Sequence, residues 1–375
     1  MTDLTRRSLL KALSAGAIAS SSLSVAAKAF AVSREKELNI LCWEGYNSAD
    51  VLDPYRKLRS ATVHAESATN SPTMVNKLRA GETKVWDLIN VDNPWAREFM
   101  YPNNLILPLP IEEFAPYFDK MLPFFKYPFD WSMSTDGTKL LGMVQRFGTN
   151  NFVVNTDKIS RKTAEEQGWK LWADDSLKDR YAINIADDWN VCHMFAIAGI
   201  DPYREHTKEE MELYTKTCKR IFANAKFVGD IAAVNQALVT GDIDVYLSGG
   251  TYTSSLARAD GYDNIRAISP NKDAYMWIEI TSLVNNPELS PLAMDFLKYV
   301  QEPEVAHTVA FAEGTFNPVA QMANPECFKL FTKEELDIIQ YDSLEEDLTK
   351  CRADDIIPNY DEAHEIMVEA KRVKG

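Results

Sequence analysis

The run Leu38-Asn39-Ile40-Leu41-Cys42-Trp43 is apolar along most of its length, stops at the loop Glu44-Gly45-Tyr46-Asn47, and leads into a helical segment from about Ser48 to Leu58. A run of this kind reads as a strand buried on both faces, and a buried strand that passes through a loop into a helix is the unit of a parallel α/β sheet. The unit recurs. Thr73 to Ala80 is helical, Trp86-Asp87-Leu88-Ile89-Asn90-Val91 is a strand, and a further helix runs from Pro94 to Met100. In such sheets the loops at the carboxyl ends of the strands carry the ligand groups.

A second series follows two nearly continuous strands, Leu141 to Gly148 and Asn151 to Asn155, which form a first crossover between lobes. It contains strands at Tyr181 to Ile185 and Ile243 to Leu247, a helix starting near Asp188, and helices over Lys208 to Ala225 and Ile231 to Val239. In the strand Met276-Trp277-Ile278-Glu279-Ile280 side chains alternate, so Trp277 and Glu279 point to one side. Pro291 to Val300, Glu304 to Ala312 and Asp361 to Val373 read as amphipathic helices. With 375 residues, 46% hydrophobic and 25% charged, the chain has core material for two domains and none of the bias that marks disorder or repeat arrays.

The amino terminus carries a different kind of signal. Thr5-Arg6-Arg7-Ser8-Leu9-Leu10-Lys11 precedes a mildly apolar run from Ala12 to Ala27, and Ala27-Lys28-Ala29 and Ala29-Phe30-Ala31 are small-x-small cleavage sites. This is the pattern of a twin-arginine export signal spanning residues 1–31, too rich in serine to be a spanning helix. No later segment is long and apolar enough to cross a bilayer, so the expected location of the mature chain is the periplasm. The formal charge is −15, and the signal removes Arg6, Arg7, Lys11 and Lys28 against Asp3, leaving a more acidic mature chain. Such a field disfavours nucleic acid and favours cations. Five scattered cysteines (Cys42, Cys192, Cys218, Cys327 and Cys351) form no C-x-x-C pair; Cys327 and Cys351 are the nearest in sequence, and spacing fixes no connectivity.

Taken in order, several short segments resemble the periplasmic spermidine/putrescine-binding proteins of ABC importers. Cys42-Trp43-Glu44-Gly45-Tyr46 keeps the Trp and Tyr of an N-W-x-x-Y loop, Thr73 to Leu78 matches T-M-x-x-K-L, and Trp86-Asp87-Leu88-Ile89 parallels Y-D-L-x. Gly148 to Asn155, Trp169 to Trp172, Asp187-Asp188, Gly241-Asp242-Ile243-Asp244, Trp277-Ile278-Glu279 and Glu302-Pro303-Glu304-Val305-Ala306 continue the series. The resemblance implies a type II periplasmic binding protein fold: two α/β lobes joined by a hinge, with a ligand cleft between them. It assigns 36–148 plus 280–325 to lobe one and 149–279 plus 326–375 to lobe two. It also implies a small-molecule amine ligand, a membrane permease as partner, a monomer, no cofactor and no catalysis.

An alkylammonium leaving water needs carboxylates or carbonyls for its N–H groups and flat aromatic walls for its methylenes and its charge. Carried over residue by residue, the resemblance places Trp43, Tyr46, Asp188, Trp277 and Glu279 at ligand contacts, with Trp277 stacking on the chain and Glu279 pairing an ammonium. Trp95 and Tyr246 join by position, each at a strand's end or within a strand. Asp188 is equally placed to cap the helix that follows it. The departures matter as well: Val191 stands where the family has a second acid, and Gly249-Gly250 where it has a Trp. Arg146 lies in the crossover strand, with Lys350 and Arg352 near a late polar contact. If Arg146 faces the cleft, a ligand with an anionic group opposite its amine is expected.

Two ligand classes follow: a di- or polyamine of putrescine/spermidine type, requiring two or more acids in the cleft, or a zwitterionic or mono-cationic amine such as an opine or betaine-like compound, requiring an acid at one end and Arg146 at the other. An enzyme is the rival class. The sequence has no G-x-S-x-G, H-E-x-x-H or G-x-G-x-x-G, and its five His form no local pair.

Overall fold

The computed structural model describes residues 34–372 apart from 69, 127, 128 and 315; the expected export signal at 1–31 lies outside the described residues. Two sheets organise the chain. The first has seven strands: β1 (Glu37–Trp43), β2 (Thr62–Ala68), β3 (Leu88–Asp92), β4 (Ile106–Leu107), β5 (Met143–Thr149), β11 (Ala274–Val284) and β12 (Cys351–Ala353). The second has five, in the order β10 (Ile265–Ile268), β6 (Asn151–Asn155), β9 (Val245–Gly249), β7 (Tyr181–Asn184) and β8 (Phe227–Gly229).

In the first sheet β1 lies parallel to both β2 and β3, as the strand–loop–helix pattern requires, and β11 runs antiparallel to β3, β4 and β5. Leu38, Leu41 and Cys42 of β1 are fully buried because helices cover the sheet; Ser48 accepts from the Val51 N–H to start the helix Ala49–Arg59, and Asn70 accepts from the Thr73 N–H to start Ser71–Arg79. Pro94 to Met100, expected as a helix, forms a wide π-helical turn over Trp95–Met100.

The chain passes between the sheets three times. β5 and β6 are separated by one residue, Asn150, whose N–H donates to the Tyr275 carbonyl (2.9 Å). The return runs from β10 to β11, and the third passage leads from β12 to the helix Tyr360–Arg372. That helix packs on Lys208–Asn224, burying Ala363, Met367 and Ala370 in the second lobe's core. Residues 327–353, by contrast, contribute Cys327, Phe331, Ile339 and Leu344 to the core built on the first sheet, and β11 stays in that sheet from end to end.

Among the described residues no helix is long and apolar enough to cross a membrane. All five cysteines are free, Cys327 and Cys351 included.

Candidate functional site

The passages between sheets leave a cleft of about 1380 Å³ between the lobes. Its walls come from the carboxyl ends of strands and the loops beyond them: Trp43 and Glu44 after β1, Asp92 and Trp95 at the end of β3, Asn184 to Trp189 after β7, and Asp354 to Glu362 on the third passage. Nine carboxylates line it: Glu44, Asp92, Asp187, Asp188, Asp230, Asp354, Asp355, Asp361 and Glu362. The described lining residues include no Lys, Arg or His. Aromatic surface is supplied by Trp43, Trp95, Trp189, Tyr203, Tyr252 and Tyr360.

The two deepest acids are held differently from those at the rim. Asp92 accepts from the Ser71 hydroxyl (2.9 Å), and loss of hydration, reinforced by the nearby Glu279 carboxylate, pushes its pKa up to about 8. Asp354 accepts from the Tyr203 hydroxyl (3.0 Å), and burial pushes it up to about 7 against the hydrogen bonds of Tyr203 and Asn150. Both are poised to gain from a cation. Asp188 is exposed and accepts from the Tyr360 hydroxyl; it does not cap its helix, whose N-cap is Ala186. Across the cleft mouth the Tyr252 hydroxyl donates to Glu44 (2.9 Å), a contact between the two lobes.

A smaller chamber of about 100 Å³ adjoins the cleft and shares Trp43, Glu44, Asp92, Trp189, Tyr252 and Asp354 with it; Arg146, Trp277, Glu279 and Asn317 complete its lining. Trp277 and Glu279 thus meet on one side of β11, and the indole packs against Gly148, where a Cβ would come within 2.7 Å of the ring. Arg146 holds both Glu279 oxygens, at 3.0 Å from Nε and 3.1 Å from Nη2, donates to the Glu44 carbonyl, and stacks over the Tyr46 ring at 4.4 Å.

Of the residues singled out in the sequence, Trp43, Trp95 and Asp188 line the main cleft, and Trp43, Arg146, Trp277 and Glu279 the inner chamber. Tyr46 lies behind that wall, buried under Arg146. Tyr246 lies in the second lobe's core, its hydroxyl bonded to Asn235 and Thr253, and lines neither cavity. Lys350 pairs with Glu346 and Glu165, and Arg352 with Asp201; neither lines the cleft. Val191 is buried, and a side chain at Gly250 would run into the Thr149 carbonyl at 1.6 Å. Asp92, Tyr203, Tyr252 and Asp354 were not singled out in the sequence; a place at a strand's end or beside a passage between lobes could have marked Asp92, Tyr252 and Asp354, whereas Tyr203 lies in the turn after the helix Asp187–Ala198.

The sequence matches the bacterial extracellular solute-binding proteins over residues 51–330. No curated protein matches it. The fold is similar to that of the spermidine/putrescine ABC transporter substrate-binding protein PotD from Streptococcus pneumoniae (13% identity, TM-score 0.67, covering 91% of this chain and 100% of that one). It is also similar to MotA from A. tumefaciens B6, solved with glucopine (14% identity, TM-score 0.58, 90% and 100% covered), and to AgtB from A. tumefaciens R10, solved with agropinic acid (14%, 0.54, 90% and 96%). With two α/β lobes, a deep cleft between them and a family match over most of its length, this chain belongs to the bacterial extracellular solute-binding proteins.

Proposed function

We propose that this chain is the periplasmic solute-binding component of an ABC importer and that it captures a di- or polyamine of putrescine/spermidine type in the inter-lobe cleft, having been exported by the twin-arginine route. One observation carries the ligand class: the cleft gathers nine carboxylates, and its described lining residues bring no basic side chain to offset them. Of these acids Asp187 is paired from behind by Lys371 (2.9 Å), and the remaining acids among indole and phenol faces suit a ligand with more than one positive charge, whose methylenes lie on the rings. Asp92 and Asp354 hold the inner ammonium, and Asp188 with its neighbours on the second lobe meets the outer one. A ligand that bridges the lobes favours the closed state that a permease recognises, and no covalent step is involved.

A zwitterionic amine is the second reading, supported by Arg146 in the inner chamber and by the opine ligands of the MotA and AgtB structures. It requires Arg146 to release Glu279 toward a ligand carboxylate, against a bidentate pair already in place. Titration calorimetry of the mature protein against putrescine, cadaverine, spermidine, a betaine and opine-type zwitterions separates the two. Binding of a diamine or triamine with loss of affinity in Asp92→Asn supports the first reading. Binding of zwitterions alone replaces it with the second.

A further inference from the structure

The inner chamber already contains the chemistry of a cation site, and the cation in it belongs to the protein. Glu279, only 5% exposed, offers both oxygens, and Trp43, Tyr252 and Trp277 stand around the space beside it. A guanidinium occupies the carboxylate: Arg146 is 3% exposed, stacked at 4.4 Å over Tyr46, and bonded to Glu279 at 3.0 and 3.1 Å. The backbone aims it there. β5 and β11 slip register between Ile278 and Ile280, so that the two β5 residues Gln145 and Arg146 oppose Glu279 alone, a bulge of the kind that redirects a side chain. On the chamber wall, Trp277 Nε1 and Asn317 Oδ1 are buried without hydrogen-bond partners among the described residues, so a donor and an acceptor remain in the part of the chamber that the main cleft does not share.

We propose that Arg146 is a built-in cation that fills the innermost amine subsite, so that the chain itself supplies one positive charge and limits the length of the amine accepted from solvent. The ligand then ends at the Asp92–Asp354 level of the cleft and does not reach Glu279. A purely structural ion pair would make no such selection. The inference deepens the amine-transport reading and rests on it for the identity of the ligand, but not for the subsite.

The test is chemical complementation. In Arg146→Ala, millimolar ethylguanidinium, which reproduces the lost side-chain end, raises the melting temperature by several degrees in a concentration-dependent way; ethylammonium at equal ionic strength does less. Wild-type protein and the double variant Arg146→Ala/Glu279→Gln do not respond, the first because the subsite is filled and the second because its carboxylate is gone. In calorimetry Arg146→Ala also shifts preference from putrescine toward spermidine by at least about tenfold, while Arg146→Lys keeps the wild-type order. Should Arg146→Ala be unfolded alone, ethylguanidinium must restore a cooperative transition. Failure of ethylguanidinium to stabilise or refold Arg146→Ala, or an equal response in the double variant, overturns the proposal. Rescue in Arg146→Ala together with a wild-type protein that binds no polyamine would instead remove the polyamine reading and leave the subsite standing.

Discussion

Asp92 and Asp354 behave unlike the acids around them because they sit at the bottom of the cleft, where water no longer repays ionisation. With pKa values pushed to about 8 and about 7, they hold protons near neutrality in the ligand-free protein, and an arriving ammonium displaces them. Amine binding at about pH 6.5 is therefore expected to release on the order of one proton per ligand, read as a buffer-dependent enthalpy, and to tighten as pH rises toward about 8. The Asp92→Asn/Asp354→Asn variant should lose both effects. The same raised values stabilise the folded chain relative to the unfolded one at low pH and lose that contribution as pH climbs through about 7 and 8, so ligand-free protein should melt lower at about pH 9 than at about pH 6. Asp92→Asn alone should weaken amine binding by about 2 kcal/mol, roughly 30-fold, since it removes a charge-assisted contact. Neither acid stood out in the sequence. An Asp at a strand's end looks like any solvated loop residue, and nothing in one dimension says that Asp354 will stand beside Asp92. Trp277 and Glu279 were legible because strand alternation fixes their common side; that Glu279 would be held by Arg146 depends on a register slip that no periodicity encodes.

At the scale of elements, apolar patterning does most of the specification. β1, β3, β5, β6, β9 and β11 were legible to within a few residues because they are buried on both faces, and Ile231–Val239 because Asp230 caps it and its pattern is uniform. β2 was missed for the opposite reason: Thr62, His64 and Glu66 face outward from an edge strand on which only Val63 is buried. β8 and β12, of three residues each, are too short to show a period. The passage from β5 to β6 is held by close approach, the second lobe's Gly250 lying against the Thr149 carbonyl. Gly250→Ala should consequently destabilise the protein by more than about 2 kcal/mol and flatten ligand-induced stabilisation, measured by urea unfolding with and without amine. Beside that passage His193 bridges the Ser248 hydroxyl and the Asn150 carbonyl (2.8 Å each), and burial pulls its pKa down to about 4. As the folded value lies below the unfolded one, its contribution is present above about pH 6.5 and is lost as pH falls through about 4. His193→Gln should therefore lessen the acid sensitivity of melting between those limits.

For the whole molecule, the acidic cleft is a long-range device as well as a binding site. A field from the ionised carboxylates of the cleft raises the encounter rate of a polycation, and salt screens it over about 8 to 10 Å. Stopped-flow association with a triamine should slow by about tenfold or more between about 20 mM and about 500 mM salt, with dissociation changing less. The Tyr252–Glu44 hydrogen bond joins the two lobes, and Tyr252→Phe should weaken ligand by about 1 kcal/mol without moving ligand-free stability by as much. Two lobes and a crossover at β5–β6 were visible from the alternation of strands and helices; the place of the third passage was not, since Asp354 to Asn359 has no regular pattern.

That third passage governs when the site can exist. Asp354 to Glu362 form one wall of the cleft, and the helix that follows seals the second lobe's core. Without this segment the cleft lacks that wall, and the second lobe's core lacks Ala363, Met367 and Ala370. The helix that follows the wall is therefore tied at once to the cleft and to the second lobe's core, so that loosening its packing loosens the wall as well.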